Sequence, residues 1–160
     1  MNILGIIPAR YASTRFPGKL LKTINGKSII QMVYEQCLKT KSLTNVVIAT
    51  DHNLIFEHVI SFGGDVVMTS EKHQSGTDRC AEALHELGGA TKYDFAINIQ
   101  GDEPMISPKT IDDLCAELDN KTQVASVCKK INNLDEVLNA NVVKVVKNDR
   151  NRAIYVSRSP

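Results

Sequence analysis

A surplus of charge of either sign is missing from this chain: 19 basic residues stand against 18 acidic ones, for a formal net charge of +1. No global field draws it to nucleic acid or to a membrane surface, so any site for a polyanion has to be local. Long hydrophobic runs are missing as well. None approaches the roughly 20 residues needed to span a bilayer. The N-terminus lacks the basic-then-apolar order of a signal peptide. Paired cysteines are absent: Cys37, Cys80, Cys115 and Cys128 are scattered without a C-x-x-C. That spacing argues against a disulfide or zinc framework and fits reduced core thiols in a cytoplasmic protein. No G-x-G-x-x-G, H-E-x-x-H or G-x-S-x-G occurs, which argues against a dinucleotide oxidoreductase, a zinc protease and a serine hydrolase. Gly26-Lys27-Ser28 looks like the tail of a P-loop, but Leu21 stands where the motif needs a glycine. Asn25-Gly26 reads better as a turn and Ser28 as a helix cap.

What is present is an alternation of strand-like and helix-like segments. Ile3–Ile7, Val46–Thr50, Val66–Met68 and Phe95–Ile99 are short, continuous and rich in β-branched residues, as buried parallel strands are. Helical patterns fill the intervals: Ser28–Lys41, opened by a Ser28/Gln31 capping box, then Asn53–Phe62, Asp78–Leu87, and a fourth helix starting at Ser107-Pro108. The order predicts an α/β fold, a mainly parallel sheet with helices on both faces. Beyond Asn120, Val124–Ile131 and Val142–Lys147 read as strands. A turn at 148–151 leads to a further strand, Ala153–Val156, so a mixed sheet is expected. With 160 residues and no linker, repeat or low-complexity tract, one domain over 1–160 is expected. The chain stops directly after a strand, where sites form, and is expected to be a fragment.

Three segments carry candidate chemistry. In Ile6–Lys19 a strand runs into a loop bearing Arg10, Arg15 and Lys19 among small and hydroxyl residues. Such a loop can set backbone N–H groups and three cations against one polyanion at the carboxyl end of a strand. A nucleoside triphosphate fits, and cations there neutralise charge on a leaving pyrophosphate. In His73–Arg79, Gly76 permits close backbone approach, while Gln74 and Thr77 offer donors and acceptors suited to a base edge. By itself that segment reads better as an ordinary helix cap. In Asn98–Pro104 a strand ends in Asp102-Glu103. Asp102 suits a Mg²⁺ ligand beside phosphates, and Gly-Asp-Glu-Pro suits a solvated turn equally well. Asp51 is read as capping the helix after it. His58, His73 and His85 show no ligand spacing, and the alternation around Lys144 leaves open whether it faces a cleft or water.

Together these segments resemble the sugar nucleotidyltransferases, and most closely the 3-deoxy-manno-octulosonate cytidylyltransferases (the CMP-Kdo synthetases of lipopolysaccharide synthesis). The resemblance rests on Pro8–Arg15 with Pro17-Gly18-Lys19, on Ala49-Thr50-Asp51, on His73–Thr77, on Gln100–Pro104 and on Val143–Val146. It covers essentially the whole chain. Phe16 and Leu20 depart from the family's usual Leu and Pro, as packing changes. The resemblance implies a nucleotide-diphospho-sugar transferase fold and transfer of CMP from CTP to the anomeric hydroxyl of the sugar acid. It implies Arg10, Ser13, Arg15 and Lys19 on the triphosphate, with Lys19, Arg10 and Arg15 as the catalytic cations. Gln74, Ser75, Gly76 and Thr77 would face cytosine and ribose, with Arg79 nearby, and Ala9 and Gln100 complete the nucleotide set. Asp102 would hold Mg²⁺, and Ser157 and Arg158 would meet the sugar acid. A homodimer is implied for the full-length form, and a longer chain carrying a further metal carboxylate. The alternatives are a cytidylyltransferase for another sugar acid, a CTP-binding fragment without turnover, a catalytically dead nucleotide-binding module, and a structural domain with no ligand.

Overall fold

The structure, a computed structural model, describes residues 1–12 and 16–160. It contains two compact units, 1–121 and 122–160. In the first, strand β1 (Ile3–Ala9) is followed by a small hairpin of β2 (Thr23–Ile24) and β3 (Lys27–Ser28), helix α1 (Ile29–Cys37), β4 (Asn45–Thr50), α2 (Asn53–Ser61), β5 (Val66–Met68), α3 (Gly76–Glu86), β6 (Phe95–Asn98) and α4 (Pro108–Ala116). The main sheet has the order β5-β4-β1-β6 and is parallel throughout. β1 lies inside the sheet, which is why its apolar residues run without polar interruption. Its side chains alternate between two cores. Ile3, Ile7 and Ala9 pack with Ile30 and Val33 of α1, Ile55 and Val59 of α2 and Ile111 of α4. Leu4 and Ile6 pack with Cys80 and Ala83 of α3 on the other face.

Local chemistry explains most boundaries. Asn25 and Gly26, with φ of 52° and 82°, make the tight turn of the hairpin, a backbone that Asn and Gly adopt most readily. Ser28 Oγ accepts the Gln31 N–H at 3.2 Å and so starts α1. The reciprocal half of the capping box is absent, because the Gln31 side chain donates to Glu35 Oε1 instead, at 3.0 Å. Cys37, Cys80 and Cys115 are buried, whereas Cys128 is exposed and is not a core thiol. Burial pushes the Cys37 thiol up to about 12 and the Cys80 thiol up to about 11, so both stay protonated at neutral pH.

The second unit holds a short helix, α5 (Leu134–Leu138), and two strands, β7 (Lys144–Lys147) and β8 (Ala153–Ser157). These strands form an antiparallel hairpin that is a sheet of its own. Antiparallel pairing thus occurs in sheets separate from the parallel one, which is itself parallel throughout. Residues 124–131 carry no strand, contrary to expectation. A β-branched run becomes a strand only where a neighbour takes its N–H and C=O groups, and Val124 stands 91% exposed. Lys144 Nζ donates to the carbonyls of Asn139 and Arg158 within this unit.

Candidate active site

The carboxyl ends of β1 and β6 lie side by side. The connection leaving β1 runs towards β4, on one side, and β6 lies on the other. This is a topological switch point, where open parallel sheets leave a crevice. A cleft of about 430 Å³ opens there. β1 and the loop after it contribute Pro8, Arg10, Ala12, Lys19 and Leu20. The start of α3 contributes Gly76 and Thr77, and the end of β6 contributes Asn98, Gln100, Gly101 and Asp102. Three segments separated by dozens of residues therefore converge on one opening.

Pro8 is where they meet. A Cβ on Gly76 would lie 3.3 Å from Pro8 Cγ, and one on Gly101 would lie 3.0 Å from the Pro8 carbonyl oxygen. Both glycines are needed for close approach. The first lets α3 start against the tip of β1, and the second lets the β6 loop fold over that tip. Ser75 Oγ accepts the Asp78 N–H at 3.1 Å and donates to Asp78 Oδ2 at 2.6 Å. The helix-cap reading of this segment therefore holds for Ser75, while Gly76 and Thr77 face the opening.

Within the cleft, Lys19 Nζ lies 2.8 Å from Asp102 Oδ2, with the two side chains 41% and 47% exposed. Arg10 Nη1 donates to the carbonyl of Gln74 at 3.1 Å. Gly18, with φ of 67°, begins the turn that carries Lys19, and its N–H donates to the Tyr11 carbonyl at 3.1 Å. The Tyr11 ring stacks on His52 with centroids 4.0 Å apart. Among the described residues, Asp102 is the one carboxylate lining the cleft. Among the described residues no group of three or more His, Cys, Asp and Glu side chains could enclose a metal ion. A divalent cation here would rely on one carboxylate plus ligand oxygens, and such a donor set fits Mg²⁺ beside phosphates.

The family model for cytidylyltransferases matches residues 4–160. The chain belongs to that family. A protein of Cytophaga hutchinsonii named 3-deoxy-manno-octulosonate cytidylyltransferase is 49% identical over 99% of this chain and 62% of its own length. A Legionella pneumophila protein of the same name is 48% identical over 99% of this chain and 63% of its own. The chain thus spans somewhat less than two thirds of these relatives. Among solved structures, CMP:2-keto-3-deoxy-manno-octonic acid synthetase complexed with CTP superposes with a TM-score of 0.88 at 38% identity, over 100% of this chain and 65% of that one. A cytidylyltransferase from Leptospira borgpetersenii gives a TM-score of 0.62 at 25% identity, over 74% of this chain and 49% of that one. The fold is that of the nucleotide-sugar transferases, as the sequence implied.

Among the residues singled out from the sequence of this family member, Arg10, Lys19, Gly76, Thr77, Gln100 and Asp102 come together in the cleft. Ala9 does not line it, being wholly buried in the core. Gln74 reaches Arg10 through its backbone carbonyl. Arg79 does not line the cleft: its side chain is fully buried, with Nη2 donating to Asp51 Oδ2 at 2.5 Å and Nη1 to Thr69 Oγ1. Its Nε is the one buried side-chain polar atom without a partner among the described residues. Asp51 is accordingly not a helix cap. That place belongs to His52, whose Nδ1 accepts the Leu54 N–H at 3.2 Å. Ser13 and Arg15 lie outside the described residues. Ser157 and Arg158 lie in the second unit, where Arg158 Nη1 donates to the Asn141 carbonyl at 3.1 Å. Pro8, Ala12, Leu20, Asn98 and Gly101 also line the cleft and were not among the site residues expected from the sequence. Leu20, expected as a packing change, does pack in the core at 8% exposed, and it forms part of the cleft wall as well.

Proposed function

We propose that this cleft binds CTP and that the whole protein transfers CMP from CTP to 3-deoxy-D-manno-octulosonate, releasing pyrophosphate, in lipopolysaccharide synthesis. One observation carries the reading: two cations and a strand-tip carboxylate share an opening with the glycine-led start of a helix, at the sheet's switch point. The names of the relatives and the CTP in the similar structure support it. Arg10 and Lys19 would neutralise the triphosphate, joined by Ser13 and Arg15 of the same loop. Gln74, Gly76 and Thr77 would address the nucleoside. Asp102 would hold Mg²⁺, which when bound supplies positive charge to the phosphate oxygens. The sugar's anomeric hydroxyl would attack the α-phosphorus in line. Positioning and charge neutralisation do most of the work in such transfers. Ser157 and Arg158 would grip the sugar acid, since a guanidinium pairs a carboxylate bidentately. We further propose one functional domain over 1–160, a homodimer for the whole protein and a cytoplasmic location; no described helix is long and apolar enough to cross a membrane.

Calorimetric titration with CTP, UTP, ATP and GTP, each with and without Mg²⁺, tests the nucleotide half. Tightest binding to CTP is expected, strengthened by Mg²⁺. Equal affinity for all four would sink the cytidylyl assignment. Pyrophosphate release with the sugar acid tests the rest on the longer protein.

A further inference from the structure

The loop between β5 and α3 is fastened from below by a residue that does not line the cleft. Glu82 lies six positions into α3 from Gly76, and its Oε2 accepts the Ser70 N–H at 2.8 Å and the N–H of His73 Nε2. Those hydrogen bonds, to Ser70 first and then to His73, hold its carboxyl below the usual glutamate range. The ionised group only accepts, so His73 carries its proton on Nε2. Ser70 Oγ in turn accepts the Lys72 N–H at 3.1 Å. Both ends of the 70–73 stretch are thus tied to one carboxylate. The next residue is Gln74, whose carbonyl takes Arg10 Nη1. Gly76 and Thr77 follow immediately at the cleft. The anchor is partly exposed, with the Glu82 and His73 side chains 31% and 24% accessible. Ion pairs of that exposure contribute about 0–1 kcal/mol to stability, too little to be the core of the fold.

We propose that Glu82 is a positioning residue: through Ser70 and His73 it sets the loop whose Gln74 carbonyl holds the Arg10 guanidinium at the mouth of the cleft. Its consequence for ligands rests on the CTP reading above. There, Glu82 governs the grip on the triphosphate more than the grip on the nucleoside.

Two measurements on the 160-residue chain separate the two claims. In ligand-free protein, ¹⁵N NMR of the Arg10 guanidinium is expected to show restricted rotation. Glu82→Ala should free it, and Glu82→Gln, which still accepts from Ser70, should keep much of the restriction. An Arg10 signal unmoved by Glu82→Ala overturns the proposal whether or not any nucleotide binds. Calorimetry then reads the consequence: Glu82→Ala should weaken CTP with Mg²⁺ about tenfold, equivalent to roughly 1.4 kcal/mol, and CMP by much less. In an Arg10→Ala background the same substitution should change CTP affinity little. A full tenfold loss persisting there would show that Glu82 acts by another route and overturns the proposal. Freed Arg10 in a wild-type chain that binds no CTP would support the positioning role and refute the CTP reading instead.

Discussion

Two Asp–cation pairs sit at the carboxyl ends of the same sheet, and they differ in everything but chemistry. Asp51 and Arg79 lie under the tip of β4 at 2.5 Å, with side chains 14% and 0% exposed. Lys19 and Asp102 lie in the cleft at 2.8 Å, with 41% and 47% exposed. A buried pair has no substitute for either partner, because water cannot reach the charge left behind. An exposed pair exchanges partners at small cost, because water and ions stand ready. The first arrangement suits a fixed floor, and the second suits a site whose ligands carry both a metal and phosphates. Burial, and not residue type, separates the pair suited to structure from the pair suited to the proposed site.

The largest expected effect comes from breaking the floor. Arg79→Met leaves Asp51 with an uncompensated charge and should cost about 3–5 kcal/mol in denaturant unfolding. A loss below 1 kcal/mol would mean that Asp51 finds water and that the two pairs do not differ in kind. Next comes the packing that holds the cleft pair in place. Gly101→Ala brings a Cβ to 3.0 Å from the Pro8 carbonyl, a backbone atom with little room to retreat. It should cost about 1–3 kcal/mol and weaken the Mg²⁺-dependent part of nucleotide binding, read by calorimetry. An unchanged metal dependence would separate Asp102 from the geometry of this loop.

Lys19→Ala and Asp102→Ala should each shift stability by only about 0–1 kcal/mol, in contrast to Arg79. Their signature is in ligands: Lys19→Ala weakens CTP far more than CMP, and Asp102→Ala abolishes the tightening by Mg²⁺. Equal losses for CTP and CMP would remove Lys19 from the phosphates. The smallest effect sharpens the exposed end of the scale. Glu35 is held below the usual glutamate range, chiefly by its hydrogen bond from Lys27 and also by Gln31. A lowered folded pKa means stabilisation that is present at neutral pH and lost as pH falls through the lowered folded value. Glu35→Gln should therefore leave the acid limb of the stability curve slightly shallower, starting below about pH 4.3. A steeper limb would contradict the sign.

The same distinction explains what could be read from the chain alone. The loops after β1 and β6 were legible because apolar runs mark strands, and strand ends in an open sheet mark a crevice. Gly76 was legible as a site of close approach, though not what approaches it, and Gly101 was legible only as part of a turn. Arg79 was not legible. It follows Thr77-Asp78 in a polar stretch, and a sequence names a guanidinium without saying that α3 turns it into the core. Asp51 failed with it, since a strand-end Asp before a helix is an ordinary cap until a buried cation claims it. Val124–Ile131 failed for a different reason. Its composition favours strand, but pairing is a property of two segments.

Pro8 bears on how such a cleft can change. It abuts one glycine from the helix side and another from the strand side, so the two loops share a single fitted joint. A graft of either loop from a relative would arrive without the clearance its counterpart was shaped for. On the proposed CTP reading, new nucleotide preferences would then be reached by exchanging both loops as a matched set, with the proline between them left alone.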